Sequence, residues 1–272
     1  MFVSFEIADY FAFHFARIDA EMRKQFHENS IVSERDYISN FTSNLRNELF
    51  RVANVHLHSQ TLPPGLEQKL GSDGIIIFKS GDNYKIGLFE AKHPKIFDLA
   101  TSTVLANVTW DQIESKHNIS HFSKQLHLQH LWVNEIAIWE MFLNNGPSGF
   151  ECPPFDAYGS SCVWHKEAYN FMHNNHLVFK PWSTSHLKIL LRASNQNIYN
   201  IIFSILSCKN GKIQQATGPN NTFIKIRNET TDNLLQIPLP SSINNESNES
   251  INNFLRENRI STYLFVDITF GK

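Results

Sequence analysis

Two apolar runs on either side of a four-residue turn constrain this chain more than any other feature. Ile75, Ile76, Ile77 and Phe78 lead into Ser80-Gly81-Asp82-Asn83, and Ile86, Leu88, Phe89 and Ala91 follow before Pro94. Short apolar runs bounded by turn residues read as strands, so 73–79 and 84–92 are predicted to form a hairpin. Neither run alternates apolar with polar residues, so both faces of the hairpin must be covered. Helices to cover them are available. Ile7, Phe11, Phe15, Ile18 and Met22 recur at spacings of three and four, which predicts an amphipathic helix near the start of the sequence. Tyr37, Ile38, Phe41, Leu45, Leu49 and Val52 repeat the pattern after Ser33 and Asp36, which stand where a capping box with a short acid would place them.

Elsewhere the pattern is less regular. Val55 to His58 alternates, and Thr61-Leu62-Pro63-Pro64-Gly65 breaks the run. Residues 110–142 look mostly helical up to the Asn144-Asn145-Gly146-Pro147 breaker, and a loop rich in Pro and Gly extends to Ser160. Helices near 165–174 and 195–208, a strand near 176–180, a strand pair at 223–227 and 234–237, a polar loop at 241–250 and a closing strand at 263–270 complete the reading. Helix, hairpin, helix and a mixed remainder predict an α/β fold with a mixed sheet of the α+β type. The expected division is an N-terminal amphipathic helix (1–30), a core (31–145) and a C-terminal part (146–272) that either completes the same domain or forms a small accessory one.

Composition narrows the function classes. With 24 Lys+Arg against 26 Asp+Glu in 272 residues, the net charge of -2 excludes a polycationic coat for nucleic acid. Cys152, Cys162 and Cys208 form no C-x-x-C pair, which points to a reducing compartment and away from a cysteine zinc site. No uncharged apolar stretch reaches membrane-spanning length. The Phe-rich start carries Glu6 and Asp9 and lacks a basic leader, so it reads as a helix rather than a signal sequence. The expected location is the cytoplasm, with secretion lacking a cleaved signal left open.

Chemistry concentrates in Gly71-Ser72-Asp73-Gly74 and Glu90-Ala91-Lys92. The hairpin register that pairs Lys79 with Tyr84 carries Asp73 opposite Glu90, and Lys92 shares the Glu90 face because strand side chains alternate. Two facing carboxylates at the end of a buried hairpin need neutralising, and Mg²⁺ takes one or two carboxylates while keeping other positions for water and phosphate oxygens. The Lys92 ammonium is placed to orient a water or to stabilise charge developing on phosphorus. Phosphodiester hydrolysis is the reaction class this set suits.

Asp73 followed on the next strand by Glu90-Ala91-Lys92 resembles the signature of the PD-(D/E)XK nuclease superfamily, the restriction-endonuclease-like fold, over about residues 31–130. Ser72 stands where the family name has Pro. The resemblance implies a core of helix, hairpin, helix and strand, with helices on both sides of the sheet and extra C-terminal elements. It also implies an upstream acid on the first helix, for which Glu34 is the candidate and Glu48 the rival. A Gln on the later helix is expected at Gln125, with Gln112 and Gln129 as rivals. By this resemblance Asp73, Glu90 and Glu34, with the Ala91 carbonyl, would bind Mg²⁺, or Mn²⁺ in its place. The implied protein is an Mg²⁺-dependent DNA endonuclease acting on double-stranded DNA. A homodimer is a further expectation, since cutting both strands usually takes two active sites. The alternatives are an RNA-directed nuclease and a non-catalytic effector built on a nuclease-like fold.

Plainer readings stand beside these. Ser-Asp-Gly is ordinary turn chemistry, Glu90 and Lys92 suit a solvated strand end, and an acid at Glu34 suits any helix start. His117, His121, His127 and His130 have helical zinc spacing without a third ligand fixed by sequence. Lys69, Lys79, Lys85, Lys92 and Lys95 read either as a phosphate-contacting patch or as solvated strand edges. The aromatic run Phe2, Phe5, Tyr10, Phe11, Phe13 and Phe15 reads as a core or dimer face, and Trp132 and Trp139 as core.

Overall fold

The two apolar runs form a hairpin, β2 (Gly74–Ser80) and β3 (Asn83–Lys92), in the computed structural model of the protein. Lys79 pairs with Tyr84 and Gly74 with Phe89, the register expected from the sequence. Gly81 takes a φ of +59° at the first central position of the turn, which a primed two-residue turn requires and a Cβ disfavours. The structure describes residues 2–28, 30–31, 33–53, 55–61, 70–93, 111, 113–114, 119–143, 160–218, 221–228, 231–240 and 248–269.

The hairpin lies inside a mixed sheet. The last strand in the sequence, β12 (Thr262–Asp267), runs parallel to β2 and antiparallel to β1 (His56–Thr61). On the other side β6 (Ala137–Phe142) runs parallel to β3. Antiparallel β7 (Ser161–Trp164) and β8 (Gln196–Asn197) follow it. The strand order is therefore β1-β12-β2-β3-β6-β7-β8. β9 (Gln214–Thr217) pairs with the start of β3 and leads to β10 (Phe223–Arg227) and β11 (Leu234–Pro238), the expected strand pair. These three are joined to the sheet off that path, so residues 146–272 supply six strands to the hairpin's own sheet. β4 (Ile113–Glu114) and β5 (Ile119–Ser120) form a small separate pair.

Seven helices among the described residues cover this sheet. On one face α1 (Phe5–His27), α2 (Glu34–Ala53) and α6 (Ile198–Leu206) bury Phe11, Phe15, Phe41 and Leu45 with Ile76, Phe78, Phe89 and Trp139. On the other, Ile75, Ile77, Ile86, Leu88 and Ile138 pack under β10, β11 and α7 (Glu249–Asn258). Beside that layer α3 (His121–His130), α4 (His165–Asn174) and α5 (Thr184–Ser194) enclose Phe122, Phe142 and Trp182. Each large apolar side chain contributes roughly 1.5–3 kcal/mol on leaving water, which offsets the cost of the charged groups buried among them. Trp132 and Trp139 are core as expected, whereas the aromatic run divides: Phe2, Phe11 and Phe15 are buried, and Phe5, Tyr10 and Phe13 are exposed. None of these helices is long and apolar enough to cross a membrane.

Local chemistry sets the ends. Asp36 donates its N–H to Ser33 Oγ at 3.1 Å, and the short acid accepts the Ser33 hydroxyl at 2.7 Å. Among its described residues, the stretch 110–142 is helical only over α3. Ala137–Phe142 is a strand buried along its whole length, and periodicity does not separate such a strand from a buried helix segment. The strand expected at 176–180 is a set of turns, with His176 and Phe179 at positive φ. The helix expected at 195–208 starts at Ile198, because Asn195 ends α5 in the left-handed region and Asn197 caps α6. The polar run at 241–250 ends in a helix start: Asn248 accepts the N–H groups of Ser250 and Ile251. The breakers at 62–65 and 144–147 and the loop residues up to 159 lie outside the described residues.

Candidate functional site

The end of β3 carries a buried charge cluster under α3. Glu90 is 1% exposed, and Lys92 Nζ donates to its Oε1 at 2.5 Å. Gln125 Nε2, from the first turns of α3, donates to the same oxygen. Glu90 Oε2 is buried and has no hydrogen-bond partner among the described residues.

Asp73 stands one step beyond the last ladder pair. Its N–H goes to the Phe89 carbonyl at 2.8 Å, and its own carbonyl accepts the N–H groups of Ser261 and Thr262 at 2.9 and 3.1 Å. Its Oδ2 accepts the Ala91 N–H at 2.9 Å. The direct opposition of Asp73 and Glu90 expected from the register is thus modified. The chain entering β12 competes for the Asp73 backbone, and the Asp73 side chain reaches past Glu90 to Ala91. Glu34, in the first turn of α2, accepts the His93 N–H at 2.5 Å. The rival Glu48 is engaged elsewhere, with Arg17 at 2.6 Å and Arg51 at 3.0 Å. Gln112 lies outside the described residues.

Gly71 makes the approach of α3 possible. Its φ is +68°, and a Cβ there would lie 2.5 Å from the Gln125 carbonyl oxygen. One turn further along α3, Gln129 donates to the Gly71 carbonyl at 2.6 Å. Two glutamines spaced i, i+4 on one helix face therefore hold both acid-bearing segments.

The electrostatics follow from burial and crowding. Burial pushes the Glu90 carboxyl well above its usual range, the charges of Asp73 and Glu140 add to this, and Lys92 opposes them. Burial alone would lower the Lys92 pKa, but Glu90, Glu34 and Asp73 outweigh it and raise it. Lys92 is therefore a firmly held cation. Asp111, 5% exposed, is pushed up by burial against the Ser120, Phe122 and Trp182 hydrogen bonds and the charge of Lys92.

Among the described residues no three His, Cys, Asp or Glu side chains are gathered as metal ligands. The expected set of Asp73, Glu90 and Glu34 is thus not assembled as three acids, and Glu34 instead holds the backbone at His93. Asp73 and Glu90 remain as an all-oxygen pair, with Glu90 Oε2 buried and without a hydrogen-bond partner among the described residues. This donor set suits Mg²⁺ or Mn²⁺, which need only one or two carboxylates. The Ala91 side chain is fully buried and its N–H is taken by Asp73.

Other candidates separate from the site. His127 and His130 lie against the Tyr169 ring, His130 stacked on it at 3.7 Å, and His117 lies outside the described residues. Lys79 pairs with Asp267 at 2.7 Å, and buried Lys85 donates to the carbonyls of Asn210 and Gly211. Lys69 and Lys95 lie outside the described residues. Asp111, Glu140 and His165 were not singled out from the sequence. Only Glu140 left a signal, as the one charge in the apolar run Ala137–Phe142, and reading that run as helix hid its alignment with Glu90.

Neither a family model, a curated protein nor a solved structure matches the chain. The functional reading rests on the geometry above.

Proposed function

We propose that this protein is a metal-dependent nuclease of the restriction-endonuclease-like type, hydrolysing phosphodiester bonds in double-stranded DNA. The observation that carries the reading is the convergence of half-buried Asp73 with buried Glu90 and Lys92, where one Glu90 oxygen has no hydrogen-bond partner among the described residues. Asp73 and Glu90 would hold Mg²⁺, which when bound supplies positive charge at the scissile phosphate and lowers the pKa of a water. Lys92, kept protonated by the surrounding carboxylates, serves as a hydrogen-bond donor to a phosphate oxygen rather than as a base. Gln125 fixes the Glu90 carboxylate from α3, and Glu34 fixes the strand end through the His93 N–H.

A net charge of -2 gives such an enzyme little purchase on the phosphate backbone away from the site, so DNA binding should depend on the metal. The test incubates the protein with plasmid DNA and Mg²⁺ or Mn²⁺, with Mn²⁺ binding measured separately. Asp73→Ala and Lys92→Ala are each expected to slow cleavage by about 10²–10³-fold, and only Asp73→Ala to weaken Mn²⁺ binding. Wild-type inactivity on DNA, or cleavage by both variants at the wild-type rate, would remove the assignment. A parallel assay on RNA decides the nucleic acid.

A further inference from the structure

Behind the carboxylates lies a second buried polar chain. Glu140 is fully buried and sits directly beside Glu90 across the parallel β3/β6 pair. Its Oε2 accepts from Gln129 Nε2 at 3.4 Å, and its Oε1 is 3.5 Å from His165 Nδ1. His165, also fully buried, meets Gln129 Oε1 through Nδ1 at 2.8 Å and faces His130 Nδ1 through Nε2 at 3.3 Å. A carboxylate and a carbonyl accept only, so Gln129 Nε2 turns its hydrogens towards Glu140 Oε2 and the Gly71 carbonyl. That fixes the Gln129 amide in one sense: Oε1 accepts from His165, and Nε2 is free to donate to the Gly71 carbonyl at 2.6 Å. Gly71 is two residues before Asp73 and has the left-handed backbone that brings this carbonyl against α3.

We infer that Glu140, His165 and Gln129 are positioning residues that set Asp73 by holding the Gly71–Asp73 segment, with His165 fixing the sense of the Gln129 amide. This rests on the nuclease reading for its catalytic consequence, but its structural content does not. Outer partners of this kind typically change metal affinity or activity by about 10–100-fold.

The test compares Gln129→Met, His165→Asn and His165→Gln, each first checked for cooperative unfolding. An asparagine amide nitrogen falls where Nδ1 stands, whereas a glutamine places its nitrogen near Nε2. Gln129→Met and His165→Gln are expected to speed backbone amide hydrogen exchange over 71–73. Both should raise the Mn²⁺ concentration for half-saturation, read by electron paramagnetic resonance, by about 10–100-fold, and lower kcat on plasmid DNA with KM unchanged. His165→Asn should restore all three readings towards wild type. Unchanged exchange at 71–73 in Gln129→Met, or identical behaviour of the two His165 variants, overturns the inference. If the wild type neither binds Mn²⁺ nor cleaves, the nuclease reading fails while exchange at 71–73 still decides this one.

Discussion

Two buried carboxylates on different sides of the sheet show how the same group can serve structure or chemistry. Asp19, in α1, is fully buried, and both its oxygens are taken. Oδ1 accepts from the Tyr37 and Ser160 hydroxyls, and Oδ2 accepts the Ser160 N–H and pairs with Arg23 at 3.3 Å. Glu90 is as deeply buried, but its two donors crowd onto one oxygen and the other has none among the described residues. Burial raises the pKa of both acids. Around Asp19 every other influence lowers it, whereas around Glu90 two further carboxylates push it higher. A saturated acid fastens α1, α2 and the start of β7 together; the proposed function gives the under-satisfied one a cation to bind.

That contrast breaks most easily at Asp19. Asp19→Ala removes the buried carboxylate shared by Tyr37, Ser160 and Arg23 and should cost about 3–5 kcal/mol, measured by urea unfolding. A loss below about 1 kcal/mol would mean that Asp19 is no more than a surface-type pair.

Glu90→Gln should go the other way. With chelator present, this change is expected to raise the unfolding free energy by about 1 kcal/mol at pH 7, because Asp73 and Glu140 oppose a charge at Glu90 while Glu34 and Asp73 still face Lys92. The pH dependence checks the sign. The folded Glu90 pKa lies above the ordinary value of 4.5, so in that window the folded state keeps a proton that the unfolded chain has released. Wild-type stability should therefore fall as pH rises from about 4.5 through the raised folded value, and the Gln variant should lack that part of the fall. Parallel stability curves for the two proteins would contradict the contrast.

The smallest effect is expected at Ser72. Its hydroxyl is fully buried with no hydrogen-bond partner among the described residues. Ser72→Ala should change stability by less than about 0.5 kcal/mol, with the sign towards stabilisation. A clear loss in a thermal melt would reveal a role for that hydroxyl.

The legible parts of the site are those joined by short stretches of chain. Lys79 opposite Tyr84, and Glu90 and Lys92 on one face, follow from strand alternation across a two-residue turn. The choice of Glu34 over Glu48 was not legible, because both lie on α2 at its opposite ends and only the helix's placement decides which meets β3. Gln125 and Gln129 were rivals for one position in the sequence reading, and the structure gives them different partners, Glu90 and Gly71. Glu140 was hidden because an apolar run buried on both faces carries no period that separates strand from helix.

The sequence by itself determined a hairpin covered on both faces, its register, and the acids and lysine at its end, because side-chain alternation and turn geometry act over a few bonds. Tertiary structure alone decided that β12, arriving from the far end of the sequence, draws the Asp73 backbone out of the ladder. It also decided that α3 and α4 place Gln125, Gln129 and His165 behind the carboxylates. Those contacts depend on which long-range surfaces exclude water together, and no spacing along the chain encodes that.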